Sequence, residues 1–189
     1  MRKPFALLVF LCAALLIFGC NKEEISGNSP CFSFDKDGHY IVFTDLPSDY
    51  TFEDAKTDGY FAAQDIENVA NKDVWDNFVA ASARKKNSSI RFIVFFTSRD
   101  DIPYYSDLFY NDGHYYAFDS TAENQEKTAY KYLLHLKGQF GNPVKDTGVV
   151  ILTDDDTLTF EQVMQSGLSS DLFFKRSISP YKLIMFTIS

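Results

Sequence analysis

Between Ile90 and Asp119 apolar and polar positions alternate with a period of two, broken by polar residues at 99–103 and 111–113, so three consecutive β-strands are expected there. In residues 90–98, Ile90, Phe92, Val94 and Phe96 fall on one face and Ile93 and Phe95 on the other, the mark of a central strand covered on both sides. Residues 104–110 and 114–119 flank Asn111, Asp112 and Gly113. An Asp-Gly pair in that position predicts a tight hairpin, because a type I′ turn needs positive φ at both central residues. Along the middle strand Tyr104, Ser106, Leu108 and Tyr110 point one way, and Tyr105, Asp107 and Phe109 the other. The interposed Asp107 predicts that the second face is partly wet, with Tyr105 open to a ligand and Tyr104 in the core.

The period changes to 3.6 in residues 72–86, where Val74, Trp75, Phe78 and Val79 form one apolar stripe. Asn71 is the expected N-cap; Asp73 and Asp76 lie near the positive end of the helix and Arg84, Lys85 and Lys86 near the negative end. Thr51 with Asp54 opens a shorter helix that Gly59 closes, and Thr159 with Gln162 is a capping box for a third. Residues 32–34 and 39–43 flank Asp35, Lys36, Asp37 and Gly38 as a first hairpin, and residues 60–69 are expected as a further short extended or hairpin segment. Residues 128–137 are expected as a half-exposed strand, 138–147 as a loop and 148–153 as a buried strand. Residues 181–188, apolar on both faces, predict an interior strand. The class is therefore α+β: one domain over residues 31–189, with a mainly antiparallel, aromatic-rich β-meander sheet and two or three helices.

At the N-terminus Arg2 and Lys3 precede an apolar run over residues 5–18, shorter than the roughly 20 residues that span a bilayer. It reads as a secretory signal. The run ends Leu16, Ile17, Phe18, Gly19, Cys20, which resembles the lipobox of bacterial lipoproteins, where the cysteine is lipidated and becomes the mature N-terminus. Residues 1–19 are thus expected as a signal peptide and residues 20–30 as a lipidated cysteine with a flexible tether, polar and rich in Ser, Gly, Asn and Pro. The implied location is the extracytoplasmic face of the cell membrane, held by the lipid anchor alone. Cys12 leaves with the signal and Cys20 becomes a thioether, so Cys31 is expected as the remaining thiol, a small apolar residue outside any intrachain disulfide.

Charge removes further classes. The chain carries 18 basic and 26 acidic residues, a net −8; loss of residues 1–19 takes two basic residues and no acidic one, leaving −10. An acidic surface argues against nucleic acid and against electrostatic binding to anionic lipid. No nucleophile elbow, zincin helix, Cys-x-x-Cys pair, dinucleotide fingerprint or phosphate loop occurs, and no cofactor is implied. Asp154, Asp155 and Asp156 lack the glycine and glutamate spacing of a calcium loop, and His39, His114 and His135 sit on separate strands, so no metal site is expected. What remains is the cluster Tyr104, Tyr105, Tyr110, Tyr115 and Tyr116, with Tyr105 and Asp107 as candidate contacts to a protein, peptide or glycan. The reading that follows is a non-enzymatic binding module; the alternative is an extracellular hydrolase whose carboxylates and histidines converge only in three dimensions.

The segments LPSDYTFEDAKTDGY, VWDNFVAASARKKNSSIRFIVFF, DLFYNDGHYYAF, AYKYLLHLKG and VVILTDDDTLTFEQV together resemble an uncharacterised family of small secreted proteins and lipoproteins of Firmicutes-type bacteria, a domain of unknown function, over residues 46–170. The resemblance implies location and fold. It supplies no activity and no site residues.

Overall fold

Local signals place most elements of the computed structural model, which describes residues 29–43, 46–65, 68–99, 102–123 and 125–188. The expected signal peptide, Cys20 and all but the last two residues of the tether lie outside the described residues. In chain order the first half runs α1 (Phe52–Thr57), β1 (Phe61–Gln64), β2 (Asn68–Ala70), α2 (Lys72–Ala83), β3 (Ser88–Phe95), β4 (Tyr104–Asn111) and β5 (His114–Asp119). The second half runs β6 (Tyr132–Phe140), β7 (Lys145–Thr153), α3 (Phe160–Leu168), α4 (Leu172–Ser177) and β8 (Tyr181–Ile188). The strands form two sheets, in the orders β2-β1-β3-β4-β5 and β6-β7-β8. Among the described residues only β1 and β3 pair in parallel, with β2 and α2 as the crossover. Tyr115 and Tyr130 exchange two backbone hydrogen bonds of 2.8 and 2.9 Å, tying β5 to the segment that enters β6. The α+β class is as expected, built on two sheets and four helices among the described residues.

Capping chemistry sets the helix starts. Thr51 and Asp54 bond each other's backbone around α1, and Thr159 and Gln162 do the same around α3. Asn71 departs from its expected role: it adopts left-handed geometry (φ 52°) and makes no cap bond. Its amide instead donates to the carbonyls of Lys56 and Tyr60, at 2.9 and 2.8 Å, fastening the start of α2 to the end of α1. The β4–β5 hairpin has the expected turn, with φ of 49° at Asp112 and 84° at Gly113.

The first sheet is covered on both faces, as the two-sided apolar pattern of β3 requires. On one face Ile90, Phe92, Leu108 and Tyr110 pack under Val74, Trp75, Phe78 and Val79 of α2 and against Leu133, Leu152 and Ile184 of the second sheet. Burying a side chain such as Phe78, 3 % exposed, stabilises by about 1.5–3 kcal/mol. The other face is covered by α1, whose Phe52 and Ala55 pack on Ile93, Phe95 and Tyr105, and by a strap, residues 29–43. That strap turns at Gly38 as the first hairpin predicted, but it is held by single bridges, Phe34 to Tyr40 and His39 to Glu126, and by its aromatic rings. Phe32, Phe34, Tyr40 and Phe43 lie on Phe109, Tyr116 and Phe118.

The second sheet revises two expectations, and the strap a third. Residues 138–147 are largely strand: β6 and β7 pair from Tyr132–Thr153 to Phe140–Lys145, leaving a tight connection. Gly138 lies inside that ladder because the ring of Phe160 is seated on it; a Cβ there would come within 2.1 Å of the ring. Strand β8, expected in the interior, is an edge strand, and β7 is the buried centre, with Val149 to Thr153 at most 1 % exposed. Cys31 is disulfide-bonded, which corrects the expectation of a lone thiol; its partner lies outside the described residues.

Candidate functional site

The two residues singled out in β4 lie on one face, as alternation dictates, but that face is dry. Asp107 is wholly buried and Tyr105 is 5 % exposed, while Tyr104 is half-buried. The expected roles of the two tyrosines are thus reversed. The reason lies in β3, where Arg91 stands directly opposite Asp107. Its guanidinium forms a bidentate pair with the carboxylate, Nε to Oδ1 at 2.7 Å and Nη2 to Oδ2 at 2.6 Å. The Tyr40 hydroxyl, delivered by the strap, donates to Oδ2 at 2.6 Å. Paired and hydrogen-bonded in this way, a carboxylate can be buried with its charge intact. Burial and then the adjacent Asp107 charge push the Tyr40 phenol far above its usual range, so Tyr40 stays a donor. The Tyr105 hydroxyl donates to the Pro47 carbonyl at 2.8 Å, and burial pushes its phenol up to about 12. The polar ends of Tyr40, Arg91, Tyr105 and Asp107 all have partners, and the arrangement holds the strap and β3 to β4.

The open concavity is on the other face. Where β4 and β5 meet β8, the sheets part around a cleft of about 300 Å³. Val94, Phe96, Tyr104 and Ala117 line one wall and Leu183 and Ile184 the other. The main chain at Tyr105 and Asp107 belongs to this wall, although their side chains turn away to the buried face. One ion pair crosses the cleft, Lys182 Nζ to Asp119 Oδ2 at 2.9 Å, with the two side chains 36 % and 28 % exposed. Thr121 donates to the other oxygen of Asp119 at 2.7 Å. Burial alone would raise the Asp119 carboxyl, but the bonds from Lys182 and Thr121 outweigh it and hold the group below its ordinary range. Tyr104 tilts edge-on to Phe96, ring centroids 5.4 Å apart, and its hydroxyl accepts from Arg99 at 3.2 Å. The cleft thus offers flat apolar walls, one phenol and one fixed pair of opposite charges.

The remaining candidates are dispersed. His39 faces Asp35 at 3.5 Å, His114 meets the Asp112 carbonyl at 3.2 Å, and His135 meets the Thr187 hydroxyl at 3.0 Å. Asp155 accepts from Thr157 and Ser179, and Asp154 from the Lys131 backbone, so both serve the turn before α3. Among the described residues no group of three His, Cys, Asp or Glu side chains could hold a metal ion, and no helix is long and apolar enough to cross a membrane. A second depression, about 340 Å³, is lined by residues 48–53 and Gln64, and two of its polar residues, Thr51 and Glu53, are engaged in capping α1 and pairing with Lys56. The cleft residues Lys182 and Asp119 were missed by sequence reasoning, since their pairing spans 63 residues. Comparison with protein-family models, curated proteins and solved structures finds no match to this chain.

Proposed function

We propose that the chain is an extracytoplasmic lipoprotein, anchored to the membrane through Cys20, whose domain is a non-enzymatic module that binds a protein, peptide or glycan in the inter-sheet cleft. The resemblance to secreted proteins and lipoproteins belongs to this proposal. The observation that carries the binding reading is the cleft itself, whose volume is at the lower end of the range for ligand sites and whose polar groups orient more than they react. Asp119 is held ionised beside Lys182, which suits charge recognition and not proton donation at neutral pH. A glycoside hydrolase sets two carboxyl groups about 5–9.5 Å apart across its substrate. Here the other aspartate of the cleft wall, Asp107, turns its carboxylate to the opposite face and pairs with Arg91.

Crosslinking on intact cells, followed by identification of what copurifies, tests the proposal. A partner held by the cleft is captured by the wild type and lost in Lys182→Met and Leu183→Asp variants of unchanged thermal stability. Capture insensitive to both would sink the cleft as the site. Anchoring is tested separately: Cys20→Ala releases the protein from the membrane pellet, and a variant that stays in the pellet overturns the lipid anchor. On this proposal Cys12 leaves with the signal and Cys20 is a thioether, so the Cys31 disulfide is confined to the unprocessed chain, and the non-reducing mass of Cys20 peptides distinguishes the two forms.

A further inference from the structure

On the strap side of the first sheet, opposite the cleft, three aromatic rings enclose one cation. Lys127 Nζ sits 4.8 Å from the ring centroid of Phe32, 5.2 Å from Phe34 and 5.2 Å from Tyr116. The rings are set at angles that make a corner: Phe32 and Phe34 are perpendicular at 4.8 Å, and Phe32 and Tyr116 are tilted by 53° at 5.0 Å. Tyr116 comes from β5 and is packed in the buried aromatic cluster with Tyr40, Phe109 and Phe118, so its position is fixed, while the strap supplies the two phenylalanines.

We infer that Phe32, Phe34 and Tyr116 form a binding box for quaternary ammonium groups, with Lys127 as a displaceable resident. Cations within about 6 Å of a ring centroid are drawn to its negative face, and three such faces converge on one point here. A primary ammonium is compact and strongly hydrated, and it gives up water to enter the box. A trimethylammonium group has no N–H to leave unpaired, and its methyl groups contact the rings directly. Lys127 is exposed, and its backbone lies between the His39–Glu126 and Tyr115–Tyr130 bridges, so its side chain can leave by rotamer changes while the main chain stays in place. The lysine therefore competes with ligand: if it fills the box nine-tenths of the time, its removal tightens binding about tenfold.

The test uses the full-length chain and three probes: choline, tetramethylammonium, and 3,3-dimethylbutan-1-ol, the neutral isostere of choline. Titration followed by NMR of the aromatic protons reads occupancy. Wild type takes both cations weakly, Lys127→Ala takes them about tenfold more tightly, and the neutral isostere binds neither form. In the Lys127→Ala background, Phe34→Leu lowers cation affinity while the chain remains folded at the temperature of the titration. Equal binding of choline and its isostere, or a Lys127→Ala variant with no gain for either cation, overturns the box. Vesicles of phosphatidylcholine and of phosphatidylglycerol, mixed with the Cys20→Ala chain so that no lipid anchor contributes, distinguish the source of the group. Phe34-dependent sedimentation with the first alone identifies a lipid headgroup, and choline binding without sedimentation identifies a free amine. Sedimentation that ignores Phe34→Leu counts against the box.

Discussion

Two aspartate ion pairs sit in opposite settings, one sealed under the strap and one open to water in the cleft. Arg91–Asp107 lies under the strap with side chains 9 % and 0 % exposed, and Lys182–Asp119 crosses the cleft at 36 % and 28 %. Both close to hydrogen-bonding distance, but the first joins consecutive strands and the second joins strands 63 residues apart. Solvent makes the difference. In the dry site the charges are desolvated, so each requires the other, and loss of one partner strands the second. In the cleft, water screens the pair and can replace either member. A bidentate guanidinium suits the first setting and a flexible lysine on an edge strand the second. The comparison teaches that an ion pair in this protein locks packing where water is excluded and leaves its groups free to exchange partners where water reaches them.

The strongest way to break that contrast is to remove one buried charge. Asp107→Ala leaves Arg91 unpaired and Tyr40 without its acceptor, and should destabilise by about 3–5 kcal/mol in chemical denaturation. A loss below about 1 kcal/mol would mean that the site is wetter than its geometry indicates. Next comes the pair of neighbouring tyrosines. Tyr105→Ala empties a packed position and orphans the Pro47 carbonyl, so a loss of about 3 kcal/mol is expected, against about 1 kcal/mol for half-exposed Tyr104. Equal losses would erase the distinction between the two faces of β4.

The smallest effect belongs to the cleft pair, and its sign depends on pH. Because the Asp119 carboxyl is held below its ordinary value of 3.8, the native state binds protons less readily than the unfolded chain. The resulting stabilisation is present above about pH 3.8 and is lost as pH falls through the lowered native value. Lys182→Met should cost under about 1 kcal/mol at pH 7 and move the acid-unfolding midpoint to higher pH. An acid limb identical to wild type would show that Lys182 does not hold Asp119 ionised.

Much of this architecture is legible in local pattern. The capping boxes at Thr51 and Thr159, the Asp112-Gly113 turn, the stripe from Val74 to Val79 and the two-sided strand at Ile90 each rest on chemistry within a few residues of itself. Those interactions form wherever the sequence places them, which is why the α+β class follows from the chain alone. Arg91 is also a visible signal, the single charge of β3, and it matches the single charge of β4.

What the chain could not supply is long-range pairing. Alternation shows that Tyr105 and Asp107 share a face, but which face is dry depends on the strap and on the register that sets Arg91 opposite Asp107. Nor does an apolar run reveal its rank in a sheet. Tyr181–Ile188 reads like a central strand, yet β7 takes the centre, because strand order is decided by which surfaces the whole sheet can bury. Lys182 and Asp119 meet across 63 residues, and Lys127 meets Phe32 across 95. Sequence by itself determined most of the elements, since their energies are local; tertiary structure decided the extent of the β6–β7 ladder, the cleft and the cluster of rings around Lys127, since each depends on the completed packing of sheet, strap and edge strand.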